Sequence, residues 1–313
     1  MTGDVFLHSA AAMGTVVTIQ IVGHGEDAAR QAARAAAVAR AMTWFATVER
    51  CCSRFDEASE VRRLAAAAPG AWTPVSDLVF ELVSFALAVA AESGGAFDPT
   101  VGVVMEQHGF DREYRSGAAV PSGVTADGPV SFRDVRIDPE ARVVSCARPL
   151  LLDFGGVAKG MAIDLAAREL APLMHFAIEA GGDLYLSGHN ADDAPWSVGI
   201  RDPRRPQEIL ETLHVSNAAV CTSGDYERRT AAGDGHHLLN PRTGRAADRL
   251  ASATVVAPAA VAADALATAA FVLGPDDGLA LLERSGVEGL LVTPALDRIA
   301  TAGFHRATVL PNT

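Results

Sequence analysis

Phe176-Ala-Ile-Glu-Ala-Gly-Gly-Asp-Leu-Tyr-Leu186 holds two short apolar runs, Phe176–Ile178 and Leu184–Leu186, with Glu179-Ala-Gly-Gly-Asp183 between them. Runs of this kind around a glycine pair read as two strands and a hairpin turn. Strands joined this tightly pair antiparallel, because a parallel pair needs a crossover of about a dozen residues or more. Downstream, Trp196–Ile200, Ile209–Val215, Ala218–Thr222, His237–Asn240 and Thr254–Val256 continue the strand-rich pattern. Upstream, Thr15–Val22 alternates as a strand, and short strands separated by turns are expected between Val130 and Leu152.

Helical patterns are interspersed. Glu26 and Asp27 open a long one, with Val38, Met42 and Phe45 on one face and Ala41, Trp44 and Val48 beside it. Ser76-Asp77 reads as the N-cap region of a second, with the stripe Leu78, Leu82, Phe85 and Val89 and a stop at Gly94-Gly95. A third is expected from about Gly160 to Leu170, and a fourth from Pro258 to about Leu273, stopped by Gly274-Pro275. A short helix starts at Asp276, and Leu290–Thr293 is among the last strands. Strands and helices mix without a βαβ rhythm. The expected class is therefore α+β, with largely antiparallel sheets flanked by helices. Residues 1–313 read as one domain, a compact unit with a small lobe, without repeats or a low-complexity linker.

Composition narrows the function. Hydrophobic residues make up 49% and charged residues 20%, as in a folded globular chain. A formal net charge of -12 argues against nucleic acid, which needs a basic face. It permits a single nucleotide, whose phosphates a metal ion and backbone N–H groups can meet. No segment reaches about 18 consecutive strongly apolar residues, so membrane insertion is not expected. Met1 to Met13 holds no secretory-type segment, and Cys51, Cys52, Cys146 and Cys221 form neither a CxxC pair nor a Cys/His ligand spacing. Reduced thiols and a cytoplasmic location are the expectation.

Five blocks carry candidate chemistry. In Asp153-Phe-Gly-Gly-Val-Ala-Lys-Gly-Met-Ala-Ile-Asp164, an apolar strand (Leu150 to Leu152) runs into Gly155-Gly156 before a helix. Glycines there let backbone approach an anion, and Lys159 adds a positive charge; a tight turn with a solvated lysine fits equally. Asp264 and Thr268 are i and i+4 on an apolar helix. They form either a hard-oxygen pair suited to Mg²⁺ or a wet helix edge. Cys221-Thr-Ser-Gly-Asp-Tyr226 ends a strand in small hydroxyl residues, and His236-His237-Leu-Leu-Asn-Pro-Arg-Thr-Gly244 brings a histidine into a proline turn. Glu179–Asp183 and Ala96–Gly102 read, by themselves, as turns.

In order and spacing the blocks resemble the ApbE-type flavin transferases, the FAD:protein FMN transferases. The resemblance runs through Met13-Gly14-Thr15, Ser53–Ser59, Phe97–Gly102, the Asp153 block, Gly181-Gly182-Asp183, Thr222-Ser223-Gly224, His237 with Pro241 and Thr243-Gly244, and Asp264 with Thr268. It implies an ApbE-like, T-fold-related architecture and Mg²⁺-dependent transfer of FMN from FAD, as substrate, to a Ser/Thr hydroxyl of an acceptor protein, releasing AMP. It also implies that Asp264, Thr268 and the backbone oxygen of Gly156 hold the metal, and that Lys159 lies near the phosphates. His237 would help the acceptor lose its proton, and Met13 and Phe55 would flank the adenine. Asp98, Gly155, Glu179, Gly181, Gly182, Asp183, Thr222, Ser223 and Gly224 complete the implied FAD site. FAD diphosphatase activity and non-catalytic FAD binding are the alternative expectations. Three positions depart from the family pattern: Asn240 for the usual Asp, Glu179 for Asn, and Phe55 for a frequent Tyr. Asn240 carries two expectations: either the missing charge slows transfer, or the residue only shapes the turn.

Overall fold

The computed structural model describes residues 4–23, 27–114, 116–228 and 235–304. β1 (Asp4–Ala12) and β2 (Thr15–Gly23) form a hairpin in which Ala12 pairs with Thr15. Met13 and Gly14 fill the turn at φ 51° and 77°, the left-handed pair that matches the twist of a two-residue hairpin. α1 (Ala28–Cys52) follows, capped by Asp27, whose carboxylate accepts the Arg30 N–H. Glu26, expected at its start, lies outside the described residues. Ala37, Val38, Ala41, Phe45 and Val48 are buried along this helix, while Met42 and Trp44 sit half-buried at the edge.

α2 (Glu60–Ala66), β3 (Trp72–Pro74), α3 (Asp77–Glu92), α4 (Gly102–Gln107), β4 (Val135–Asp138) and β5 (Val143–Cys146) come next; the strands form a three-stranded sheet in the order β3-β5-β4. Ser76 caps α3 through the Val79 N–H, as the sequence indicates. Leu150–Leu152 is not a strand. Its side chains are buried, but its backbone partners are a turn: Gly102 donates to the Leu151 carbonyl and Asp153 donates to that of Pro99. Burial of an apolar run on all sides does not require a ladder.

α5 (Ala158–Leu170) then starts two residues earlier than expected. β6 (Phe176–Ala180), β7 (Asp183–Ser187), β8 (Trp196–Arg201), β9 (Ile209–Val215), β10 (Ala218–Gly224), β11 (Leu239–Asn240), β12 (Arg245–Ala246), β13 (Ser252–Ala257), α6 (Ala260–Leu273), α7 (Pro275–Arg284), β14 (Glu288–Val292) and β15 (Arg298–Ala300) complete the chain. The central sheet has eight strands in the order β1-β2-β6-β7-β10-β13-β14-β15, antiparallel throughout. The α+β class is as read from the sequence.

Strand alternation divides the apolar residues between two faces. Phe176, Ile178, Tyr185 and Cys221 point to the face covered by α1, α5 and α6. Ala177, Leu184, Leu186 and Val220 point to the other face, which the β8–β9 hairpin covers with Trp196, Val198 and Leu213. α5 and α6 approach closely at Gly160, where a Cβ would stand 2.4 Å from the Ala260 carbonyl oxygen. Asp164 of α5 accepts the Ala260 and Val261 N–H groups at 2.7 and 2.9 Å, capping α6 from a neighbouring helix. Among the described residues no helix is long and apolar enough to cross a membrane.

Candidate active site

The sheet end that carries the β6–β7 turn gathers several of the sequence blocks. Gly181 and Gly182 form the turn at φ 62° and 91°, and a Cβ on Gly181 would meet Thr15 Oγ1 at 2.8 Å. The Met13-Gly14-Thr15 and Glu179–Asp183 turns are therefore neighbours. Glu179 Oε1 accepts the Gly182 N–H at 3.1 Å.

Lys159, on the first turn of α5, reaches across this end. Its Nζ lies 2.9 Å from Asp183 Oδ2 and 3.6 Å from Asp264 Oδ1. Asp264 also accepts the Gly160 N–H at 3.1 Å and is only 4% exposed. The wet-edge reading of this helix face is thereby excluded. Burial alone would lower the Lys159 pKa, but the two carboxylates outweigh it and raise it above the ordinary lysine value. Burial raises the Asp264 pKa, with Lys159 opposing and Asp183 adding.

One helical turn further along α6, Thr268 Oγ1 lies 3.2 Å from Ser223 Oγ at the end of β10. A Cβ on Gly156 would stand 2.9 Å from the same Thr268 oxygen, so only glycine lets this backbone approach the hydroxyl. Thr222, next to Ser223, pairs its hydroxyl with that of Thr254 at 2.9 Å. Among the described residues no three His, Cys, Asp or Glu side chains converge as a metal cluster. Asp264 and Thr268 lie one turn apart on α6, and the Gly156 backbone packs against the Thr268 hydroxyl. Such a hard-oxygen set fits Mg²⁺, which takes few protein ligands and completes its shell with phosphate and water.

The glycine turn is held from behind by a buried arginine. Arg54 Nε donates to Asp153 Oδ2 at 2.6 Å, and its Nη2 donates to the Phe110 carbonyl. Asp153 Oδ1 accepts the Gly155 N–H at 2.7 Å. Burial would raise the Asp153 pKa, but Arg54 and the Gly155 N–H together hold it below the ordinary carboxylate value. The Arg54 guanidinium lies 4.1 Å over the Phe55 ring. Arg54 lies within Ser53–Ser59, where a charged residue at a helix end gives no sign from sequence that it will be 6% exposed. The Tyr114 ring packs 3.3 Å from the Gly14 Cβ position and its hydroxyl donates to Glu49, a placement that no sequence motif marks.

His237 precedes β11 and is half-buried, and its backbone N–H donates to the Arg228 carbonyl. Its Nδ1 is buried without a hydrogen-bond partner among the described residues. Burial, with Arg228 and Lys159 adding, pushes its pKa down to about 3, so the ring is neutral at neutral pH. Asn240 Oδ1 accepts the Arg242 N–H at 3.0 Å, and the Asn240 carbonyl accepts the Thr243 and Gly244 N–H groups. Asp98 takes the Thr100 N–H and hydroxyl of its own turn on one oxygen and the N–H of the distant Phe132 on the other.

A model of the ApbE family matches residues 13–291. An FAD:protein FMN transferase of Treponema pallidum is 34% identical over 273 residues, covering 79% of this chain and 74% of its own. One from Vibrio cholerae is 30% identical over 236 residues, covering 71% and 69%. The crystal structure of an ApbE protein from Thermotoga maritima superposes with a TM-score of 0.83 at 29% identity, covering 98% of this chain and 100% of that one. The flavinyl transferase ApbE of Pseudomonas stutzeri, in its apo form, gives 0.79 at 28% identity, covering 98% of each chain.

Proposed function

The chain belongs to the ApbE family, and we propose that it transfers FMN from FAD to a Ser or Thr hydroxyl of an acceptor protein, releasing AMP. The observation that carries this reading is the convergence of Lys159, Asp183 and Asp264 with the Gly156–Thr268–Ser223 contact, within electrostatic reach of a neutral His237.

The chain's own residues divide the work. Lys159, held by two carboxylates, offers a fixed positive charge to a diphosphate. Gly155 and Gly156 bring backbone close to the same place. Met13 and Phe55, backed by Arg54, flank the adenine. His237 takes the proton as the acceptor oxygen attacks phosphorus on the FMN side. A new P–O bond to the acceptor forms, the P–O bond to AMP breaks, and AMP leaves with the electron pair. Asp264, Thr268 and the Gly156 carbonyl would hold Mg²⁺, which supplies charge neutralisation at the phosphoryl oxygens.

The proposed cytoplasmic setting is supported by Cys51, Cys52, Cys146 and Cys221, all unpaired. Recovery of the native protein from the outer side of the cell envelope would overturn it.

Incubation with FAD, Mg²⁺ and an acceptor carrying a Ser/Thr flavinylation motif should give an acceptor heavier by one FMN in mass spectrometry. Release of FMN and AMP with the acceptor unchanged would instead favour the diphosphatase. Asp264→Asn keeps an acceptor for the Gly160 N–H while removing the charge. It should cut turnover about a hundredfold or more and raise the Mg²⁺ requirement. Unchanged turnover at low Mg²⁺ would remove Asp264 from the metal site.

A further inference from the structure

A cavity of about 270 Å³ lies on the sheet face opposite α5 and α6, between that face and β8. Its floor is Ala177, Leu184 and Leu186, its far wall is Trp196, and its rim carries Gln20 and Glu179. The site and the cavity lie on opposite faces of the sheet, and the β6–β7 turn joins the two faces at its end. Glu179, on the cavity rim, accepts the Gly182 N–H, and the next residue is the Asp183 that holds Lys159.

Two features distinguish this cavity from an ordinary surface recess. Among the described strands β8 pairs only with β9, so its other edge carries no strand, and Trp196 to Gly199 of β8 line the cavity. An unpaired edge beside an apolar floor is the arrangement that binds an extended peptide, with backbone pairing for affinity and pockets for alternate side chains. The length exposed, four residues, matches about 13 Å of extended chain. The lining includes a carboxylate but no lysine, arginine or histidine, so it suits a neutral or basic segment rather than an acidic one.

We infer that this groove receives the extended segment of the acceptor protein that carries the modified hydroxyl. The inference rests on the transferase reading, since the transfer needs a second protein chain delivered to the phosphates. With the segment along β8, its leading residues pass the Glu179–Gly182 turn and meet the Lys159 side of the sheet end. FAD then approaches from the helix side and the acceptor from the hairpin side.

The test uses the full chain and a mixed library of seven-residue peptides, each with one central threonine and neutral apolar flanks. Peptide flavinylation is read by mass, and FAD affinity is measured separately by calorimetry. The wild type should modify a subset of the library. Ala177→Trp, which fills the floor, should raise the KM for the best peptide about tenfold and leave FAD affinity unchanged. Gln20→Trp, at the rim, should act in the same direction, and melting temperatures confirm that both variants fold. The inference is overturned if no peptide is modified, or if both variants keep the wild-type KM. It is also overturned if FAD or riboflavin affinity falls in parallel, which would make the cavity a flavin pocket, or if the variants alter self-association, which would make it a contact between copies. A wild type that fails to bind FAD would count against the transferase reading itself.

Discussion

Lys159 Nζ lies 2.9 Å from Asp183 Oδ2, an ion pair between the first turn of α5 and the first residue of β7. Both side chains are largely removed from water, and Asp264 stands on the other side of the ammonium. A cation between two buried carboxylates is costly to delete, because the remaining charges have no compensation. Lys159→Met should therefore destabilise the fold by about 3–5 kcal/mol. Adding Asp183→Asn should recover part of the loss. Urea denaturation of the single and double variants measures both. A single-variant loss below about 1 kcal/mol would mean that water screens the site as it does surface pairs.

His237 links activity to acid stability. Its pKa falls from 6.5 to about 3 in the folded chain, chiefly through burial. Below 6.5 the unfolded chain binds a proton that the folded chain refuses, so this contribution to stability is present at neutral pH. It is lost progressively as pH falls towards about 3. His237→Ala should lose less stability than wild type between neutral and acid pH. It should also cut transfer by about 100-fold to 10,000-fold while retaining FAD affinity. Parallel acid melts and single-turnover assays test the two parts, and undiminished transfer would remove the base role.

Asn240 tests a departure from the family pattern. Its side-chain oxygen accepts the Arg242 N–H, which ties it to the turn before β12. Asn240→Asp preserves that bond and should change the transfer rate by less than about fivefold, the rate equivalent of the ~1 kcal/mol typical of one hydrogen bond. A larger gain at neutral pH would show that a charge at this position does reach the histidine.

Gly160 marks the closest approach of α5 to α6. A methyl group there would overlap the Ala260 carbonyl and the Val261 Cα at 2.4 and 2.6 Å, both backbone and unable to move aside cheaply. Gly160→Ala should destabilise by about 1–3 kcal/mol despite the better helix propensity of alanine. It should also lower activity by shifting Lys159 against Asp264. An unchanged midpoint in denaturant would show that the helices can separate without loss.

Much of this was legible along the chain because it is local. Glycine pairs at positive φ, Ser76 as a cap and Gly274 as a stop act through neighbours within a few residues, so type and position follow from residue chemistry. The order of the motifs identified the family for the same reason. What only tertiary structure decided depends on separation across the fold. Leu150–Leu152 has the composition of a strand, yet packing gave its backbone a turn as partner. Asp264 could have faced water or the interior, and the approach of α5 at Gly160 buried it against Lys159. Arg54 reads as a solvated charge, and becomes the support of the glycine turn because Asp153 and the Phe110 carbonyl meet it there. Local preference is written residue by residue, whereas the burial of a charge is a property of every element that closes over it.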